Sequence, residues 1–125
     1  MAKVLVIDDQ KDIRDVLKTI LEEGGHEVRL AAEGGEGLRL HAQSPADVVI
    51  TDLHMPGVNG LETVRTLRER SATVKIIAMS GEDMYMADKN LESSVINGAD
   101  LTLTKPFRMQ LVLRAVSNLL TPFQS

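Results

Sequence analysis

The sequence predicts an α/β fold: a doubly wound, five-stranded parallel sheet with helices on both faces. Five short apolar runs recur at regular intervals, and helical periodicity fills the stretches between and after them. Several runs are apolar at consecutive positions, as strands covered on both faces of a parallel sheet must be.

The first strand is VLVI (4–7), and it runs straight into Asp8 and Asp9. Ile13, Val16, Leu17, Ile20 and Leu21 then follow i, i+3, i+4 spacing, which predicts a helix with that stripe toward the core, stopped at Gly24-Gly25. EVRLA (27–31) is the second strand. The second helix, over about 33–42, is weakly marked because Gly34, Gly35 and Gly37 lower its propensity. DVVI (47–50) is the third strand and leads to Asp52. Leu61, Val64 and Leu67 line one face of a third helix, entered through Pro56, Gly57 and Asn59, and LRERS (67–71) reads as its solvated end.

VKIIA (74–78) is the fourth strand, with Ser80 just past it. A soft helix over about 84–97 ends at Gly98, and Met84, Tyr85 and Met86 are expected to be partly buried there. LTLT (101–104) is the fifth strand, followed by Lys105-Pro106. Val112, Ala115, Val116 and Leu119 mark the last helix.

The chain of 125 residues is read as one domain, 1–125, with 14 Lys+Arg against 18 Asp+Glu and a formal charge of -4. That balance argues against direct nucleic-acid binding and against docking on an anionic membrane. With no cysteine, disulfides, zinc–thiolate sites and thiol catalysis are excluded. No apolar run reaches the length of a membrane span, and Asp8, Asp9 and Asp12 spoil the N-terminus as a signal peptide, so a cytoplasmic protein is expected. His26, His41 and His54 show no metal-ligand spacing. His26 and His41 are expected at the surface, and His54 is a candidate for controlling water access to Asp52.

Ligands bind such sheets at the carboxyl ends of the strands, near a topological switch point. Here those ends carry Asp8 and Asp9, Asp52, Ser80 and Lys105. Each has a plain alternative: Asp-Asp as turn and helix cap, Asp52 as an acid in a Pro/Gly turn, Ser80 as a loop start, Lys-Pro as helix punctuation. Their joint order at one end of one sheet favours a shared cleft. Three carboxylates cannot all stay ionised at close range beside one lysine, so a hard divalent cation completes the site. Mg²⁺ fits, because it takes few carboxylates, keeps waters and accepts a phosphate oxygen. A carboxylate so placed beside a lysine can attack a phosphoryl group and form an aspartyl phosphate, with Ser80 hydrogen-bonding the incoming group.

With these residues in place, the chain resembles a response-regulator receiver domain (the CheY-like fold) of two-component signalling, from residue 3 to about 120. VLVIDDQKDIRDVL matches the first strand and acidic pair, EVRLAAEGGEGLRL the second strand and helix, and DVVITDLHMPGVNGLE the phosphoacceptor segment, the most specific stretch. VKIIAMSG is similar to the fourth strand with its hydroxyl, and GADLTLTKPF to the fifth with its Lys-Pro. The resemblance implies that Asp52 is phosphorylated by a sensor histidine kinase or a histidine phosphotransfer protein. It implies Mg²⁺, or Mn²⁺ in its place, held by Asp9, Asp52 and the backbone carbonyl of His54, with Asp8 acting through water. Lys105 would pair with the phosphoryl group, Ser80 would move to meet it, and the Lys105–Pro106 bond would be cis.

Two features depart from the family pattern. Thr102 stands where receivers usually carry an aromatic switch residue, and the segment 80–98 is longer than is common. Because only TPFQS follows the last helix, a stand-alone regulator is expected, catalysing nothing beyond its own phosphoryl transfer and dephosphorylation. Its output would be a downstream target protein or onward transfer in a relay, from a monomer or a phosphorylation-dependent dimer. The strongest alternative is a degenerate receiver that binds a partner without being phosphorylated. A phosphatase using an aspartyl phosphate would want Asp-x-Asp after the first strand, which Asp8-Asp9-Gln10-Lys11 lacks.

Overall fold

The computed structural model describes residues 2–53, 60–81, 98–105 and 108–120. His54, the expected helix near 84–97 with Met84, Tyr85 and Met86, and Pro106 with its peptide bond lie outside the described residues. Five strands, β1 (Lys3–Ile7), β2 (Glu27–Ala31), β3 (Val48–Asp52), β4 (Lys75–Gly81) and β5 (Leu101–Lys105), form one parallel sheet in the order β2-β1-β3-β4-β5. Around it, among the described residues, lie α1 (Lys11–Glu23), α2 (Gly34–Gln43), α3 (Gly60–Arg70) and α4 (Met109–Leu120). None is long and apolar enough to cross a membrane.

The pleat sends alternate residues of each inner strand to opposite faces. Leu5, Ile7, Val49, Ile76 and Ala78 pack with Val64 and Leu67 of α3 on one side. Val4, Val6, Val48, Ile50, Ile77 and Met79 pack with Leu17, Ile20 and Leu21 of α1 and with Val112 and Val116 of α4 on the other. Both faces need apolar residues, which is why these strands read as continuous apolar runs. At roughly 1.5–3 kcal/mol for each fully buried large side chain, the two layers dominate the stability. β5 lies at an edge and is correspondingly mixed, with Leu101, Thr102 and Thr104 exposed.

Several expectations are corrected. Val16 is about half exposed, because it falls at the margin of the α1 stripe, where it lines a surface pocket with Met109. Ser80 lies inside β4, not after it, since β4 continues to Gly81 and pairs Ser80 with Thr104. LRERS is not simply a solvated end. Arg68 is half-buried and its guanidinium donates to the carbonyls of Gly98, Ala72 and Val74 at 3.0, 3.1 and 2.9 Å and to Asp100 at 2.7 Å.

The chain reverses its direction of sheet growth at β1, which has β2 on one side and β3 on the other. That switch point opens above the carboxyl ends of β1 and β3. Two glycines matter to the chain path, Gly25 at the opposite edge of the sheet and Gly60 beside the switch point. Gly25 takes φ +88 after α1, a conformation that L side chains rarely adopt. Gly60 starts α3 so close to the end of β3 that a Cβ would run into the Asp52 carbonyl and the Leu53 Cα.

Candidate functional site

β1 delivers Asp8 to the switch point fully buried. Its N–H donates to Ala31 O of β2 at 3.0 Å, its Oδ1 accepts the Gln10 N–H at 2.8 Å, and its carbonyl accepts Arg14 Nη1 at 2.8 Å. The residue capping α1 is therefore Gln10, which makes no side-chain cap bond, and neither Asp8 nor Asp9 serves as the helix cap. Asp9 follows with its side chain exposed.

Asp52 ends β3 almost wholly buried, paired in register with Met79 of β4. Lys105 ends β5, and its Nζ donates to Asp8 Oδ2 at 2.9 Å and to Asp52 Oδ2 at 3.0 Å. One carboxylate oxygen each from Asp8, Asp9 and Asp52 lies within 4.8 Å of the others. Ser80, buried, sits one residue beyond the Asp52–Met79 pair on the neighbouring strand. Thr102 is exposed on β5 opposite Ala78 and does not belong to the cluster.

Burial pushes the Asp8 carboxyl up from its ordinary value; the Gln10 N–H and Lys105 pull it back in part, and Asp52 pushes it up again. For Lys105, burial pulls the ammonium down, but its bonds to Asp8 and Asp52 outweigh that and hold it above 10.5. One ammonium does not neutralise three carboxylates gathered this closely. The donor set is all hard oxygen, two carboxylates buried and one open to water. That combination suits a small divalent cation that keeps part of its hydration, Mg²⁺ or Mn²⁺, better than a soft metal.

The strand-end reading thus brings Asp8, Asp9, Asp52 and Lys105 together, with Ser80 alongside. Sequence reasoning misses Arg14, whose signal is its place in the first turn of α1 just after the acidic pair. It also misplaces two histidines. His41 is buried, accepting the Ala46 N–H at Nδ1 (3.1 Å), and His26 is half-buried, accepting the Ala2 N–H at Nδ1 (3.2 Å). Both belong to the opposite end of the sheet.

A family model for the response regulator receiver domain matches residues 4–117. A probable transcriptional regulatory protein of Picosynechococcus is 39% identical over 116 residues, covering 87% of this chain and 45% of that protein. The response regulator MprA of a Mycobacterium species is 33% identical over 94% of this chain and 50% of its own. The chain thus spans about half the length of these curated relatives. Among solved structures, the chemotaxis protein CheY4 of Vibrio cholerae is 32% identical with a TM-score of 0.87, covering 96% of this chain and 99% of that one. The response regulator TrrA of Thermotoga maritima, in complex with Mg(2+)-BeF, is 34% identical with a TM-score of 0.85, covering 96% and 100%. The sheet order, the acid cluster with its lysine, and a match over nearly the whole length agree: the chain belongs to the response-regulator receiver domain family of two-component systems.

Proposed function

We propose that this domain accepts a phosphoryl group on Asp52, in a Mg²⁺-dependent transfer from a histidine kinase or a histidine phosphotransfer protein. The observation that carries the reading is Lys105 Nζ, 3.0 Å from Asp52 Oδ2, in a pocket where the carboxylates of Asp8, Asp9 and Asp52 converge within 4.8 Å. Asp9 and Asp52 would hold the cation, with the His54 carbonyl, and Asp8 would reach it through water. Both Asp8 oxygens are engaged, one by the Gln10 N–H and one by Lys105, which suits a holding role. The cation supplies charge neutralisation on the transferring phosphoryl oxygens. A carboxylate oxygen of Asp52 attacks phosphorus as the bond to the donor imidazole nitrogen breaks, and the electron pair returns to that nitrogen. Lys105 keeps its bond to Asp52 and gains a phosphoryl oxygen; the Ser80 hydroxyl donates to another. TrrA's complex with Mg(2+)-BeF supports the same ligand chemistry here.

The signal leaves as a change in a protein-contacting face or as onward transfer of the phosphoryl group. With Thr102 in the usual aromatic place, the move of Ser80 and its strand end carries that change without a turning ring. A cytoplasmic receiver switch is part of the proposal, and the matches with CheY4 and TrrA cover 96% of this chain. Immunoblot length in the native cell reads whether the receiver domain belongs to a longer chain such as the curated relatives have.

The test is incubation with acetyl phosphate, with and without Mg²⁺, followed by intact mass, beside Asp52→Asn. The reading requires one phosphoryl adduct that needs both Mg²⁺ and Asp52. No adduct, under conditions that label another receiver, would leave the phosphorylation-independent interaction module as the function.

A further inference from the structure

We infer that Arg14 is a positioning residue of the acidic pocket, its guanidinium fixing the Asp8–Asp9 peptide so that Asp9 presents its carboxylate to a cation beside Asp52; this rests on the cation reading above. β1 pairs with β2 and β3 only as far as Ile7, opposite Ala31 and Thr51. Beyond it, the Asp8 carbonyl is outside the ladder, and the guanidinium of Arg14 meets it at 2.8 Å. A carbonyl belongs to a planar unit that includes the next residue's N–H and Cα, so holding the oxygen holds the plane on which Asp9 begins.

Two further bonds brace the same turn, Asp8 N–H to Ala31 O at 3.0 Å and Gln10 N–H to Asp8 Oδ1 at 2.8 Å. Those two fix Asp8 through its own N–H and side chain, whereas the Arg14 bond acts on the peptide shared with Asp9. The arginine is itself held by the helix that starts in this turn, since Arg14 N–H donates to Gln10 O at 3.1 Å. Asp9 is the exposed member of the cluster, lacking the packing that locks Asp8 and Asp52, so its direction depends most on the backbone beneath it. Groups that orient a ligand from behind typically change metal affinity by about 10–100-fold.

A rival reading of the same residue predicts the opposite sign. Were Arg14 only a positive charge near the pocket, removing it would tighten cation binding; as a brace, removing it weakens binding. The full chain, ¹⁵N-labelled, is titrated with MgCl₂ and followed by its amide resonances, for wild type, Arg14→Gln, Arg14→Lys and Asp9→Asn. The brace predicts that Arg14→Gln raises the Mg²⁺ Kd about tenfold, with the urea midpoint little changed. Arg14→Lys, which keeps the charge but not the planar fork, weakens binding too and guards against a folding defect in the glutamine variant. Raising Mg²⁺ restores acetyl phosphate labelling in both variants toward its saturated level, a rescue that a general structural defect would not give. An Arg14→Gln Kd equal to or below wild type overturns the inference while Asp9→Asn still binds weakly. Wild-type binding by Asp9→Asn instead overturns the cation reading on which it rests.

Discussion

At the edge where the strands enter the sheet, polar side chains bond chiefly to backbone. His26 accepts the Ala2 N–H, His41 the Ala46 N–H, Asp47 the Lys3 N–H at 2.8 Å, and Asp100 the Ile76 N–H at 2.8 Å while pairing with Arg68. At the edge where the strands leave, Asp8, Asp9 and Asp52 face one another across a single lysine. One edge uses polar side chains to finish the backbone's hydrogen bonding, which stabilises the fold. The other gathers like charge, which opposes folding until a ligand of opposite sign arrives. The same sheet therefore keeps its stabilising polar contacts and its chemistry at opposite ends.

The comparison can be broken most decisively by Asp52→Asn. It should abolish the phosphoryl adduct completely, read by intact mass, while the urea midpoint falls little or rises. Next in size, Arg68→Ala at the entry edge should cost about 2 kcal/mol in urea unfolding, because four contacts of the guanidinium are lost together. That variant should still label on Asp52. A stability loss in the first variant and a labelling loss in the second would erase the division between the edges.

A third substitution sharpens the contrast. Asp8→Asn keeps an acceptor for the Gln10 N–H but removes a buried charge that burial disfavours. Without Mg²⁺ it should stabilise the domain by about 1 kcal/mol, measured by urea unfolding. The smallest effect is a pH dependence from the entry edge. Burial holds His26 and His41 below 6.5, helped by the N-terminal charge and by Arg29 respectively. A depressed histidine contributes stability fully above its unfolded value, so the contribution is present above pH 6.5 and lost as pH falls from there through the lower folded values. His41→Gln should flatten that slope in a urea series at constant Mg²⁺. A slope unchanged by the substitution would remove His41 from the account.

Most of the acidic pocket is legible in the sequence because register in a parallel sheet is rigid: residues at the ends of adjacent strands must be neighbours. Asp8 and Asp52 follow from that, while Lys105, with β4 between its strand and β3, meets them through the reach of its long side chain. His41 is less legible because residue type suggested the surface. Yet it sits at i+7 from Gly34 and i+4 from Gly37, both buried, so helical spacing turns it inward. Arg68 sits at i+4 from buried Val64 for the same reason. Long polar side chains obey the helix face and then find carbonyls by reach, which a reading of charge runs does not see. Arg14 is hidden more deeply, since its partner is a backbone atom whose exposure depends on where β1 stops pairing.

The most direct measurement of the central claim is equilibrium urea unfolding at neutral pH, with and without MgCl₂, for wild type and Asp9→Asn. Mg²⁺ at ten times its Kd is expected to stabilise wild type by about 1.4 kcal/mol, with an unchanged urea slope, and to leave Asp9→Asn nearly unmoved. No shift in wild type, or an equal shift in both proteins, would contradict the claim that the acidic edge is built around a cation.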